Sequence, residues 1–328
     1  MKSLLFLLIG FQLSVGAQAT FKPSVVAAGY ITPTPITVAP GQIITFFVHG
    51  VGAGVTQAVF ASGIPLPASL AGISAVIKQF NPDLPVPMLS VQPVATCADP
   101  SQAGCGAYTA ITVQMPFEMQ ADDPTQPRGV PVGSAEIVFT ENGAAGARVD
   151  LTAVVDQIHL LRTCDLLYQR RTSACRPIVA HADGSLVNAQ NPAKGGEEVV
   201  VYGFGLGVTN PNVETGKAPI SPVNAVLPFK ISFDPRQNAL ASRPPFTSQG
   251  LQLYSAPIFV GLTPNYVGLY QINIIVPSLP AGSLPCSPAG GSGFNGIPIA
   301  SNLTINVAGP ASFDGVGICA QPTPESPQ

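Results

Sequence analysis

The sequence predicts an all-β protein made of two antiparallel β-sandwiches in tandem, and three observations lead there. First, a long unit recurs: Pro40-Gly41-Gln42-Ile43-Ile44-Thr45-Phe46-Phe47 is echoed roughly 155 positions later by Gly195-Gly196-Glu197-Glu198-Val199-Val200-Val201-Tyr202, a period far beyond that of a solenoid repeat. Tyr108 with Ile111-Thr112-Val113-Gln114-Met115-Pro116 is likewise matched by Tyr270 with Ile272-Asn273-Ile274-Ile275-Val276-Pro277, and Gly72–Ile77 by Pro228–Phe233. Second, apolar and polar residues alternate with period two. Ile111, Val113 and Met115 alternate with Ala110, Thr112 and Gln114, and Leu303, Ile305 and Val307 with Asn302, Thr304 and Asn306. Strands with one dry and one wet face belong to antiparallel sheets. Third, 33 Gly and 35 Pro punctuate a chain with only 9% charged residues, which leaves little room for long helices.

The chain divides in order. Lys2, the apolar run Leu4–Ile9 and the small-x-small site Ala17-Gln18-Ala19 read as a secretory signal peptide over residues 1–19, cleaved before Thr20. That run is too short to remain as a membrane anchor, so no membrane span is expected after its removal. Residues 20–158 form the first sandwich and residues 177–319 the second, each with about seven strands. Between them, the junction 159–176 concentrates Arg162, Arg170, Arg171 and Arg176 against the single acid Asp165. These arginines are the candidate binding residues, facing an acidic partner or anionic polymer; the plainer expectation is that they bridge two acidic domains. The tail 320–328, rich in Pro, has nothing to bury and is expected to be disordered.

All six cysteines follow the signal segment, and an even number in an exported chain reads as disulfides. The sequence leaves the pairing open; neighbours are preferred, giving Cys97–Cys105, Cys164–Cys175 and Cys286–Cys319. A zinc site lacks a CxxC pair or a nearby His, so no metal is expected.

The run His181-Ala182-Asp183-Gly184-Ser185-Leu186-Val187-Asn188-Ala189-Gln190-Asn191-Pro192-Ala193-Lys194-Gly195-Gly196-Glu197, continued by Val200–Gly207, is distinctive. With Gly261–Asn273 and Val276-Pro277, it resembles the uncharacterised secreted domain abundant in Acidobacteria, first noticed as a C-terminal domain in Solibacter proteins. That family is similar in turn to immunoglobulin-like modules of the IPT/TIG kind. The resemblance covers residues 178–310 strongly and 30–158 more weakly, and departs at the cysteine-bearing insertions 97–105 and 164–175. It implies export and immunoglobulin-like sandwiches. The family has no established activity, so it lends no catalytic residue.

Little else points to chemistry. A net charge of −3 without clustered cations beyond the junction argues against nucleic acid. Of the three histidines, His181 lies near Asp183, yet Asp183-Gly184-Ser185 reads as a turn whose Asp bonds local amides. No G-x-S-x-G elbow is present. Gly203, Gly205 and Gly207 follow a strand but precede a Pro-containing turn, so they read as backbone-turn glycines and not as a nucleotide loop. Asp122-Asp123 and Glu197-Glu198 lack the spaced ligands Ca²⁺ needs. The chain has no Trp and seven Tyr, a poor platform for stacking sugars. The expected role is an exported, non-catalytic binding module without cofactor, contacting an extracellular protein or polysaccharide. The alternatives are an exported hydrolase using His181 and Asp183, and a structural subunit that self-associates through strand edges.

Overall fold

A computed structural model describes residues 24–28, 36–95, 106–124, 133–165, 175–243, 253–287 and 299–322. The expected signal segment, Cys97, Cys105, Arg170 and Arg171 lie outside the described residues. Among those described there is no helix, and hence none long and apolar enough to cross a membrane.

The strands form four sheets. The first runs β1 (Ser24–Ala28), β3 (Ile43–His49), β9 (Ala107–Gln114), β8 (Met88–Ala95), β4 (Val59–Phe60). The second runs β2 (Ile36–Val38), β11 (Ala144–Ala153), β10 (Ser134–Glu141), β6 (Ile73–Lys78), β5 (Ser69–Leu70), with β7 (Leu84–Pro85) also on β6. The third runs β12 (His159–Leu160), β14 (Glu198–Phe204), β20 (Tyr270–Ile275), β19 (Phe259–Leu262), β16 (Val223–Ala225), β15 (Thr209–Asn210), with β13 (Val179–His181) also on β14. The fourth runs β18 (Leu253–Ser255), β17 (Lys230–Asp234), β21 (Leu303–Ala308), β22 (Phe313–Ile318). Pairing is antiparallel apart from β2 on β11.

Each pair of sheets encloses one apolar core. Phe46 and Phe139, from the first and second sheets, meet edge-on with ring centroids 5.4 Å apart, a favoured aromatic geometry. Tyr270 and Ile272 of the third sheet share a core with Phe233 and Ile305 of the fourth. The apolar residues of the alternation read from the sequence, Ile111, Val113 and Met115 and Leu303, Ile305 and Val307, lie in the cores. Ile73, Ala75 and Ile77 likewise point inward from β6, and Val199 and Val201 from β14. Tyr270 is fully buried, and its hydroxyl donates to the carbonyl of Gly207; burial pushes its pKa up.

Two strands depart from the one-dry, one-wet expectation. On β9, Ala110 and Gln114 are buried as well as Ile111 and Val113, and the Gln114 side-chain oxygen accepts the Gly216 N–H at 2.7 Å. On β21 every residue is buried. An irregular stretch around residues 236–243 covers its polar face: Thr304 Oγ1 donates to the Ala239 carbonyl at 2.8 Å, and Ser242 N–H to Asn306 Oδ1 at 2.8 Å. These bonds satisfy the side-chain oxygens of Gln114, Thr304 and Asn306, while Gln114 Nε2 and Asn306 Nδ2 are buried without a partner among the described residues.

The chain between the two cores is docked along its length. Leu160 lies in the second core, and Leu161 packs with Ile43 and Phe204. Asp156 is fully buried; its carboxylate accepts the Ala311 and Ser312 N–H groups at 2.8 and 2.9 Å and the Ser312 hydroxyl at 2.6 Å. Gly205 and Gly207 have positive φ, and the space a side chain would fill is occupied by the carbonyls of Gln157 and Val155. These glycines thus admit a close backbone approach.

Order runs past Cys319, against the expectation that the tail is loose from residue 320. Asn302 holds Ala320 from both sides, accepting its N–H and donating to its carbonyl, each at 2.8 Å. Gln321 N–H donates to Ala193, whose own N–H donates to Cys319. Residues 323–328 lie outside the described residues. Cys164 is bonded to Cys175 and Cys286 to Cys319, as preferred from the sequence.

Candidate cleft beside strand β22

Strand β22 is an outer strand of the fourth sheet, and its register on β21 runs without a shift from Phe313 to Ile318. Along a strand, backbone groups of residues i and i+2 point to the same edge. Gly315 shows which edge is outward: its N–H donates to Asp314 Oδ1 at 2.7 Å and its carbonyl accepts from Arg162 Nη2 at 2.8 Å. Four residues on, the Cys319 carbonyl accepts from Ala193 at 2.9 Å. Gly317 lies between them on the same edge. Its N–H and carbonyl therefore face outward, and among the described residues no protein group meets them.

This edge opens on a cleft of about 490 Å³, walled by the stretches 175–177, 187–190 and 239–241, within the size range of ligand pockets. Val187, Val316 and Ile318 border it but belong to the core behind, and Leu240, 87% exposed, stands at its rim. Two of the four arginines singled out from the sequence, Arg162 and Arg176, line it.

Their situations differ. Arg162 is committed: besides Gly315 it reaches Asp314 Oδ1 at 3.2 Å. Asp314 Oδ2 accepts the Leu160 N–H at 2.8 Å and stands 3.6 Å from His159 Nδ1, while His159 Nε2 meets Asp165 Oδ2 at 2.8 Å. Asp165 also accepts the Arg162 N–H at 2.6 Å. This network ties residues 159–165 to the start of β22. Arg162→Ala is expected to cost about 1 to 2 kcal/mol, the worth of a charge-assisted bond plus a stranded acceptor. A urea titration showing no change in midpoint would reject that role.

Arg176 is exposed, and its guanidinium makes no ion pair among the described residues. Its backbone is fixed nonetheless. Arg176 N–H donates to Thr163 Oγ1, its carbonyl accepts from Thr163 N–H, and the Cys164–Cys175 bond closes the same segment. An anchored backbone thus presents at the cleft a cation without an ion-pair partner among the described residues.

The other candidates do not converge here. His181 Nδ1 lies 2.7 Å from Glu197 Oε1, and its Nε2 stands 3.2 Å from the Asn191 carbonyl. Asp183 instead caps a turn, accepting the Ser185 hydroxyl at 2.7 Å and N–H at 2.9 Å. The Ser185 hydroxyl bond first, then its amide and the nearby His181, hold the Asp183 carboxyl below its ordinary value. Asp122 accepts the Gly133 N–H at 2.8 Å, and Glu198 accepts from Asn273 at 2.7 Å. No group of three or more His, Cys, Asp or Glu that could hold a metal occurs among the described residues.

The sequence reading missed Asp314 and Gly317. A signal for the second was present: Gly315-Val316-Gly317 sets glycines at alternate positions of a strand, a mark of close approach by another group. Their Cβ positions are filled by Ala241 and Ser301.

No family model and no curated protein matches the chain. Among solved structures, a chain titled BspA_C_WT is similar at a TM-score of 0.19 and 11% identity, over 87% of this chain and 94% of that one. So slight a likeness carries no argument about function.

Proposed function

We propose that this chain is an exported binding module that acts without catalysis, its two sandwiches set in tandem, and that the cleft beside β22 receives an extracellular partner presenting carboxylates. The observation that carries the reading is the exposed Arg176 guanidinium, without an ion-pair partner among the described residues, on a fixed backbone at the cleft. Two disulfides support an oxidising compartment, and the resemblance of residues 178–310 to a secreted family adds to the case for export. The nearby Ser185 hydroxyl donates to Asp183 and not to His181, which favours binding over hydrolysis.

The test is binding of the fluorescently labelled mature chain to intact cells of its host. Saturable binding is expected, weakened about tenfold by Arg176→Glu, since reversing a cation that meets a carboxylate replaces attraction with repulsion. Absence of saturable binding, or equal binding by the variant, would overturn the proposal.

A further inference from the structure

We propose that the partner is a protein, and that it enters the cleft as an extended peptide segment that pairs with the edge of β22 at Gly317 while one of its carboxylates meets Arg176. This rests on the binding-module reading and names the class of ligand.

The backbone supplies the first reason. Most of the outward edge of β22 is closed, Gly315 by Asp314 and Arg162 and Cys319 by Ala193. Gly317 alone among these three keeps both a donor and an acceptor open, and it is only half-buried, so the pair is reachable from the cleft. A donor and an acceptor on one residue are what a peptide residue in extended conformation matches, by main-chain strand addition. The closed positions on either side span about 13 Å, four residues of strand rise. That length admits a short segment and excludes a long added strand.

Charge complementarity supplies the second. Arg176 is the cation of this cleft that lacks a partner among the described residues, whereas Arg162 already holds Asp314. Leu240, 87% exposed at the rim of the cleft, offers apolar surface to one aliphatic side chain beside the acidic one. The ligand is thus a short extended segment carrying an acidic and an apolar side chain.

A library of linear octapeptides is selected on the folded mature chain, with oligogalacturonates as the anionic sugar probe. Selected peptides are expected to carry Asp or Glu and to bind about tenfold more weakly to Arg176→Glu. Each backbone amide of a selected peptide is then N-methylated in turn. Methylation of a single amide, the one donating to the Gly317 carbonyl, is expected to weaken binding about tenfold, the loss of one buried hydrogen bond. This scan leaves the protein unaltered, so no folding defect can imitate the result.

Equal tolerance of methylation at every amide would overturn strand pairing. Arg176-dependent binding of oligogalacturonate with no peptide selected would overturn the peptide ligand and leave the binding-module reading standing. Binding of neither probe would count against both. A dimer in sedimentation that Arg176→Glu dissociates would show that a second copy fills the cleft, and would also overturn the inference.

Discussion

Gly205→Ala is expected to destabilise the protein by about 4 kcal/mol, at the upper end of what single substitutions do. Gly205 has a φ of +75°, and an added Cβ would stand 1.9 Å from the Gln157 carbonyl oxygen. That oxygen belongs to backbone and cannot swing aside. The stretch 155–157 would have to lift, breaking the Gln157 N–H bond to the Gly205 carbonyl and disturbing the neighbouring approach of Val155 to Gly207. Gly143→Ala separates the causes, because Gly143 has a similar φ of +80° with open space around its Cβ position. It is expected to cost about 1 kcal/mol, the backbone strain alone. The measurement is the urea midpoint of both variants beside the parent. Equal losses would show that close docking of residues 155–157 contributes nothing.

Asp156→Ala is expected to cost about 2 to 3 kcal/mol, since it strands the buried Ala311 and Ser312 N–H groups. The same side chain sets a pH dependence. Burial raises its pKa from the ordinary 3.8, and the bonds from Ser312 and Ala311 offset that rise only in part. Between 3.8 and the raised value the folded protein binds more protons than the unfolded chain. Stability from this group therefore falls as pH rises through that window, is fully present below 3.8, and is lost above the folded pKa. Asp156→Asn removes the titration. The stability difference between parent and Asn variant should shift in the variant's favour as pH climbs from about 3 to about 7. A difference that does not vary with pH would reject the assignment.

How much of this was legible depended on sequence distance. The apolar faces of β9 and β21 were readable because each strand's periodicity is its own property, and Ile111, Val113, Leu303, Ile305 and Val307 do lie in the cores. The Asp183 turn was readable because its partner Ser185 is two residues away. The burial of β21 was not, since the stretch that covers Asn306 and Thr304 is 64 or 65 positions distant. The junction arginines stood out as a cluster, yet nothing local separates Arg162 from Arg176. The difference between them is Asp314, 152 residues from Arg162, which occupies that guanidinium, while the other has no ion-pair partner among the described residues. Gly317 owes its significance to neither neighbour in sequence. It is open because Arg162 and Ala193, from elsewhere in the chain, close the positions on either side.

Under tension applied at the C-terminus, force entering at Gln321 would meet the hydrogen bonds between Ala193 and residues 319 and 321, then the covalent bond from Cys319 to Cys286. Ala193 and Ala320 are joined in parallel orientation. The load divides among three separate stretches of backbone before it arrives at Ile318. Strand β22 is thereby shielded from being unzipped from β21 one rung at a time, and the open edge at Gly317 would keep its shape while the chain is pulled.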